Sequence, residues 1–237
     1  MKRLIVASTS TVHGSGYLEY LLPELTVFFS NIETILFIPY ARPGGISYSE
    51  YTSKAKEAFA KINIEVKGIH EFDNPKEAIS EAKAFFTGGG NTFELVNQLY
   101  KNDVIDILRS RVESGIPYFG TSAGSNICGI TMMNTNDMPI VYPPSFDTMG
   151  LIPFNINAHY LDPDPSSKHM GETRETRIKE FHVFNETPVL GLREGSWLEV
   201  FNNETKLKGE LPARLFRKGR EAVELPTETK IRRETLS

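Results

Sequence analysis

The sequence predicts an α/β protein of one domain, with a mostly parallel sheet covered by helices on both faces and hairpin strands towards its C-terminal end. Three observations predict it. From residue 3 to residue 120 short β-rich runs alternate with longer segments of helical period, the pattern that builds parallel sheets. The β-rich runs are short and mainly apolar, of the kind buried on both faces by covering helices. The length of 237 residues suits a single α/β unit, which often runs to about 250 residues.

In order, strands are expected at 3–8 (RLIVAS), 34–39 (TILFIP), 64–69 (IEVKGI), 84–87 (AFFT) and 116–119 (IPYF). Met1-Lys2-Arg3 followed by four apolar residues is too short for the h-region of a secretory signal, roughly 7–15 residues, and reads as the start of the first strand. A helix over about 48–61 puts Ala55, Ala58, Phe59 and Ile62 on its apolar side. Another starts at the N-cap residue Asn91, with Glu94 three positions on, and aligns Phe93, Val96, Leu99 and Tyr100. A further helix, 103–114, stops at Gly115. Proline then concentrates in a loop-rich stretch, 134–170, before a helix at 171–185. Strands at 188–192, 196–201, 213–217 and 221–225 read as hairpins at a sheet edge. A single α/β domain is thus expected to span 1–225, with 226–237, charged and nearly without apolar residues, as a frayed tail.

Composition narrows the function. A lone Cys128 closes no internal disulfide and supplies no thiolate metal cluster, which suits a reducing compartment, the cytoplasm. A net charge of −4 offers no basic field for nucleic acid. No run approaches the ~18 uncharged apolar residues of a membrane span. No His-rich or Cys-rich ligand cluster calls for a metal, and no cofactor is expected. Oligomeric state, monomer or homodimer, stays open.

The most informative stretch is Gly120-Thr121-Ser122-Ala123-Gly124, G-x-S-x-G between a strand and a small-residue helix. At such a turn the nucleophile sits in strained backbone while small neighbours allow close packing, and the Ala123 N–H faces the reacting carbonyl. The plainer alternative is a small-residue turn packing a helix on the sheet. Thr87-Gly88-Gly89-Gly90-Asn91 ends the strand before the capped helix. Its amides could supply a second oxyanion donor, cradle a phosphate, or form no more than a flexible turn. A serine needs a base. His182 shares a helical face with Ile178 and Phe181 and His70 ends an early strand, whereas His159 follows the apolar run 151–158 and so falls at a strand end. His159 is therefore the leading candidate, with His13 and His169 behind it. The orienting acid is open among Asp137, Asp162, Asp164 and Glu194.

Six segments, FTGGGNTFEL (86–95), GTSAGSNICG (120–129), TNDMPIV (135–141), FNINAHY (154–160), GETRETRI (171–178) and GLREGSW (191–197), together resemble the peptidase E family of aspartyl dipeptidases. The resemblance runs over nearly all of the chain except the tail. It implies an α/β/α sandwich like that of class I glutamine amidotransferases, with serine where that fold often carries an elbow cysteine. It also implies that Ser122 is the nucleophile, His159 the base and Glu194 the acid; the oxyanion hole is then expected from Ala123 and Gly89 or its neighbours. Arg174 in GETRE then binds the substrate aspartyl carboxylate, for which a planar guanidinium is suited. Its alternative is a surface arginine paired with Glu172 or Glu175. Asp137 matches a family motif and is a candidate for the substrate ammonium. The implied partner is a small peptide, Asp-Xaa, and the implied activity a serine-type dipeptidase. Thr121 stands where some members carry a bulky aromatic, and the 161–170 loop is where divergence is expected; both bear on fine specificity. Two alternatives remain: a hydrolase of the same fold acting on another aspartyl substrate, as cyanophycinase does, and a non-catalytic anion-binding protein.

Overall fold

A computed structural model describes residues 1–164, 166, 168 and 171–236. The first half runs β1 (Arg3–Ala7), α1 (Leu22–Phe28), β2 (Thr34–Ile38), α2 (Tyr48–Ala60), β3 (Glu65–Gly68), α3 (Pro75–Glu81), β4 (Phe85–Thr87), α4 (Thr92–Lys101), α5 (Ile105–Glu113), β5 (Tyr118–Thr121) and α6 (Ala123–Asn126). The second half adds β6 (Asn155–Ala158), α7 (Arg174–Phe184), β7 (Val189–Leu192), β8 (Ser196–Phe201), β9 (Glu204–Gly209), β10 (Ala213–Phe216), β11 (Val223–Leu225), β12 (Lys230–Ile231) and α8 (Arg233–Leu236).

The main sheet has the order β12-β9-β8-β1-β5-β4-β2-β3. Its five strands from β1 to β3 are parallel, whereas β8 joins β1, β9 joins β8 and β12 joins β9 antiparallel. Alternate residues of the parallel strands divide between two cores. Leu4, Val6, Leu36, Ile38, Phe85 and Tyr118 face the side carrying α4, α5 and α6. Ile5, Ala7, Ile35, Phe37, Phe86 and Phe119 face α1 and α2. On that second face Phe86 stacks on Phe119 with centroids 4.6 Å apart. This is the α/β/α arrangement, and it explains the apolar runs of β1, β2, β4 and β5, which are covered on both sides; the edge strand β3 alternates, with Glu65 and Lys67 exposed.

Local chemistry sets the helix starts. Ser47 and Glu50 form a reciprocal capping box on α2, Asn74 caps α3, and Asn91 accepts the Glu94 N–H at the start of α4. The α4 face is wider than its periodicity predicts, because Thr92, Glu94 and Asn97 are buried beside Leu95, Val96 and Leu99. No helix among the described residues is long and apolar enough to cross a membrane.

Two expectations are corrected. The C-terminal strands do not all lie at one edge: β8 and β9 extend the main sheet, while β11-β10-β7-β6 form a second one. Leu190, Leu192 and Leu215 of the second sheet pack into the same core as Leu4 and Val6, while α7 covers its other side through Ile178 and Phe181. The tail is not a loose end. Lys230 and Ile231 pair with β9, Ile231 is buried, and Leu236 packs on the core. A single apolar residue on a two-residue strand is below what composition can reveal.

Candidate active site

The carboxyl ends of β1, β4 and β5 lie side by side, since Ala7 pairs with Thr121 and Thr87 with Gly120. Ser122 follows at once, with φ 52° and ψ −112°, a combination L residues rarely adopt. The turn is held from several sides. The Ser122 N–H donates to the Ala7 carbonyl at 3.1 Å, and the Ser125 hydroxyl donates to the carbonyls of Ala7 and Gly120. The fit tolerates no side chain at position 124, where a Cβ would stand 2.2 Å from the Thr87 carbonyl oxygen.

The candidate histidine arrives from the second sheet. His159 directly follows β6, at φ 53°. Its Nε2 lies 2.9 Å from Ser122 Oγ, and its Nδ1 lies 2.6 Å from Glu194 Oε1. Glu194 comes two residues after β7, which pairs parallel with β6. The Nδ1–carboxylate contact favours the tautomer with the proton on Nδ1, leaving Nε2 to accept from the serine hydroxyl.

Two supports of this chain of contacts were missed at the sequence level. The fully buried Ser8 hydroxyl donates to the Leu192 carbonyl and accepts the His159 N–H. Arg193 lies over the Tyr160 ring, 5.5 Å from its centroid, and forms ion pairs with Asp162 and Glu224. Those bonds from Arg193 hold both carboxyls below their usual range against the effect of burial. The residues flanking His159 and Glu194 are thereby joined. A polar residue just past an apolar strand, and an arginine beside the acid in GLREGSW, were the available signals.

Gly89 closes the site from β4. A Cβ there would stand 2.9 Å from Ser122 Cβ and 3.3 Å from the Thr121 carbonyl oxygen, so the turn runs against Ser122. Among the described residues the amides of Gly89 and Ala123 meet no acceptor, unlike those of Gly88 and Asn91, which donate to Ile38 and Ala41. Two amides beside one hydroxyl can stabilise an oxyanion.

The remaining candidates are dispersed. Asp137 Oδ2 accepts from the Thr92 N–H at 2.8 Å and from the Thr135 hydroxyl at 3.0 Å, at the start of α4. Asn126 donates to Thr92 and Thr135, tying this network to the helix that follows Ser122. Arg174 opens α7 and borders a cleft of about 480 Å³ with Leu161, Asp162 and Thr173. It pairs with neither Glu172, which is bound by Arg177, nor Glu175, which is bound by Lys179 and Arg214. Burial and Arg177 lower its affinity for the proton, while Asp137 opposes them, so the two candidate substrate residues share one electrostatic environment. His13 is exposed, His70 meets Ser49, and His182 is buried against the Thr187 carbonyl. Asp162 serves Arg193, and Asp164 accepts from Ser166. His169 and part of the 161–170 loop lie outside the described residues. Among the described residues no three His, Cys, Asp or Glu side chains converge as metal ligands would.

Residues 4–208 match the sequence profile of peptidase family S51. A peptidase E of Streptomyces coelicolor is 49% identical over 94% of this chain and 90% of its own. A Drosophila melanogaster protein named "Probable alpha-aspartyl dipeptidase" is 42% identical over 91% of this chain and 90% of its own. The crystal structure of a peptidase from an acI-B1 Actinobacterium superposes with a TM-score of 0.67 at 16% identity, over 98% of this chain and 97% of that one, a likeness of fold.

Proposed function

The chain belongs to peptidase family S51, and from that premise we propose that this peptidase is a serine-type dipeptidase that hydrolyses Asp-Xaa dipeptides. The observation that carries the reading is the continuous contact from Ser122 Oγ through the His159 ring to Glu194, at 2.9 and 2.6 Å, beside the free amides of Gly89 and Ala123.

In this reading Ser122 Oγ attacks the carbonyl carbon of the aspartyl residue while His159 Nε2 takes its proton. Glu194 holds the imidazole by its Nδ1–H and stabilises the cation that forms. The carbonyl oxygen, now negative, receives hydrogen bonds from Gly89 and Ala123, each such donor being worth about 10²–10³ in kcat. The imidazolium returns its proton to the departing amine and the acyl-enzyme remains. Water, activated by the same histidine, releases aspartate. Arg174, half-buried and without a carboxylate partner among the described residues, is the cation for the substrate side chain. Asp137, near it and with only one oxygen engaged, is the group for the ammonium. The buried free thiol of Cys128 suits a cytoplasmic enzyme.

The test is incubation with Asp-Leu, Leu-Asp, Glu-Leu and N-acetyl-Asp-Leu, alongside the Ser122→Ala protein. Asp-Leu alone should be cleaved efficiently, and only by the protein that retains the serine. Intact Asp-Leu, or equal turnover by Ser122→Ala, overturns the reading.

A further inference from the structure

The groups assigned to the aspartyl residue lie at the start of α4 and of α7, and α4 packs on the first face of the main sheet. On the other face, where α2 packs, a second cleft of about 340 Å³ opens, and nothing in the mechanism above uses it. Its walls include Ser10 and Thr11 after β1, Tyr17, Arg42 after β2, and Tyr51 and Lys54 of α2. Loops that follow β1 and β2 leave the same carboxyl edge as the serine turn, so the cleft belongs to that edge.

One residue connects it to the chemistry. The buried Tyr51 hydroxyl donates to the Gly89 carbonyl at 3.2 Å, and Gly89 abuts Ser122. The Arg42 guanidinium lies over the Tyr51 ring, 5.1 Å from its centroid. Arg42 is exposed, and among the described residues it has no carboxylate partner. Tyr17 meets Tyr51 edge-on at 6.3 Å, its hydroxyl buried without a well-formed hydrogen bond. The cleft therefore joins an uncommitted guanidinium, a second cation in Lys54 and a buried phenol whose hydroxyl is linked through Gly89 to the turn against Ser122.

A dipeptide presents a matching group. Its leaving residue ends in a free carboxylate about one residue length, roughly 3.5 Å, beyond the scissile amide. In a longer peptide that position is a neutral amide. A guanidinium stacked on an aromatic ring keeps its donor edge free for bidentate carboxylate binding. We propose that this cleft receives the leaving residue and that Arg42, with Lys54 beside it, binds its C-terminal carboxylate. The inference rests on the dipeptidase reading and deepens it, because it names what confines cleavage to dipeptides.

The experiment compares Asp-Leu with Asp-Leu-amide, for the unaltered protein, Arg42→Met, Arg42→Lys and Lys54→Met. The unaltered protein should favour the free acid by about tenfold or more in kcat/KM, the scale of one charged hydrogen-bonding group. Arg42→Met should lose that preference by a rise in KM for Asp-Leu and leave Asp-Leu-amide within about twofold, with Arg42→Lys in between and Lys54→Met a weaker copy. Equal cleavage of the two substrates by the unaltered protein overturns the site while leaving the dipeptidase reading intact. So does an equal loss on both in Arg42→Met, which would mean that Arg42 acts only through Tyr51 and the Gly89 turn. Cleavage of neither substrate overturns both.

Discussion

Ser8 and His159 share one hydrogen bond: the serine hydroxyl, 2.6 Å from the Leu192 carbonyl to which it donates, accepts the histidine backbone N–H at 2.9 Å. The bond joins the end of β1 in the main sheet to the ends of β6 and β7 in the second, and it holds the ring on Ser122 through the backbone. Ser8→Ala leaves a buried N–H unpaired, at a cost of about 1–3 kcal/mol in stability. A ring displaced by a fraction of an ångström lowers kcat by about tenfold or more. Urea unfolding should record the first effect and steady-state kinetics the second, with KM nearly unchanged. A purely structural serine would leave kcat per folded molecule intact.

Gly89→Ala tests the turn beside Ser122. The new methyl would stand 2.9 Å from Ser122 Cβ, so serine and turn must separate. A displaced oxyanion donor should lower kcat by about 10²–10³ with little change in KM. The melting temperature, followed by circular dichroism, should show that the fold persists. Activity within twofold of the unaltered protein would remove Gly89 from the oxyanion hole.

Arg174→Met tests the acidic specificity. If the guanidinium pairs with the aspartyl side chain, kcat/KM for Asp-Leu should drop by roughly a hundredfold or more, the cost of leaving a desolvated charge unpaired. Asn-Leu, which brings no charge, should be affected far less, so the Asp/Asn preference collapses. An unchanged preference would return Arg174 to the helix surface.

Stability should depend on pH through the Arg193 ion pairs. Asp162 and Glu224 have depressed folded-state pKa values, chiefly because of hydrogen bonds from Arg193, with burial opposing. Depressed carboxylates contribute stability above their unfolded values, near about 4, and lose it as pH falls through the folded ones. Thermal melts should therefore be level above about pH 5 and decline below about pH 4, modestly because both side chains are nearly half exposed. Arg193→Met should flatten that acid limb. An unchanged limb would place the sensitivity elsewhere.

The parallel half of the fold was legible because most of its strands are apolar on both faces and α4 starts at the cap Asn91. The C-terminal half was less so. Strands at 189–192 and 213–216 look alike in sequence whether they border the main sheet or form another, and only the pairing of β7 with β6 and β10 decides. The same limit applied to the site. G-x-S-x-G located Ser122 by its local context, but residues alone left Asp137, Asp162, Asp164 and Glu194 equivalent as partners for a histidine, and only the resemblance separated them. Distance separates them physically: Glu194 reaches Nδ1, Asp137 holds the start of α4 and Asp162 holds Arg193. Ser8 gave only the weak signal of a polar residue just past an apolar strand and Arg42 gave none, since their significance lies in neighbours about 150 and 9 residues away that only the fold supplies.

Ser122 and His159 both occupy positive φ, at 52° and 53°. Such geometry costs of order 1–3 kcal/mol per residue, and two neighbouring instances consume a sizeable share of the 5–15 kcal/mol by which an ordinary domain is stable. Under the proposed reaction, durability and activity thus pull the chain in opposite directions. Glycine in place of Ser122 would relieve the backbone and leave the enzyme inert, so a screen for heat resistance alone would tend to discard the very serine that the proposed reaction requires.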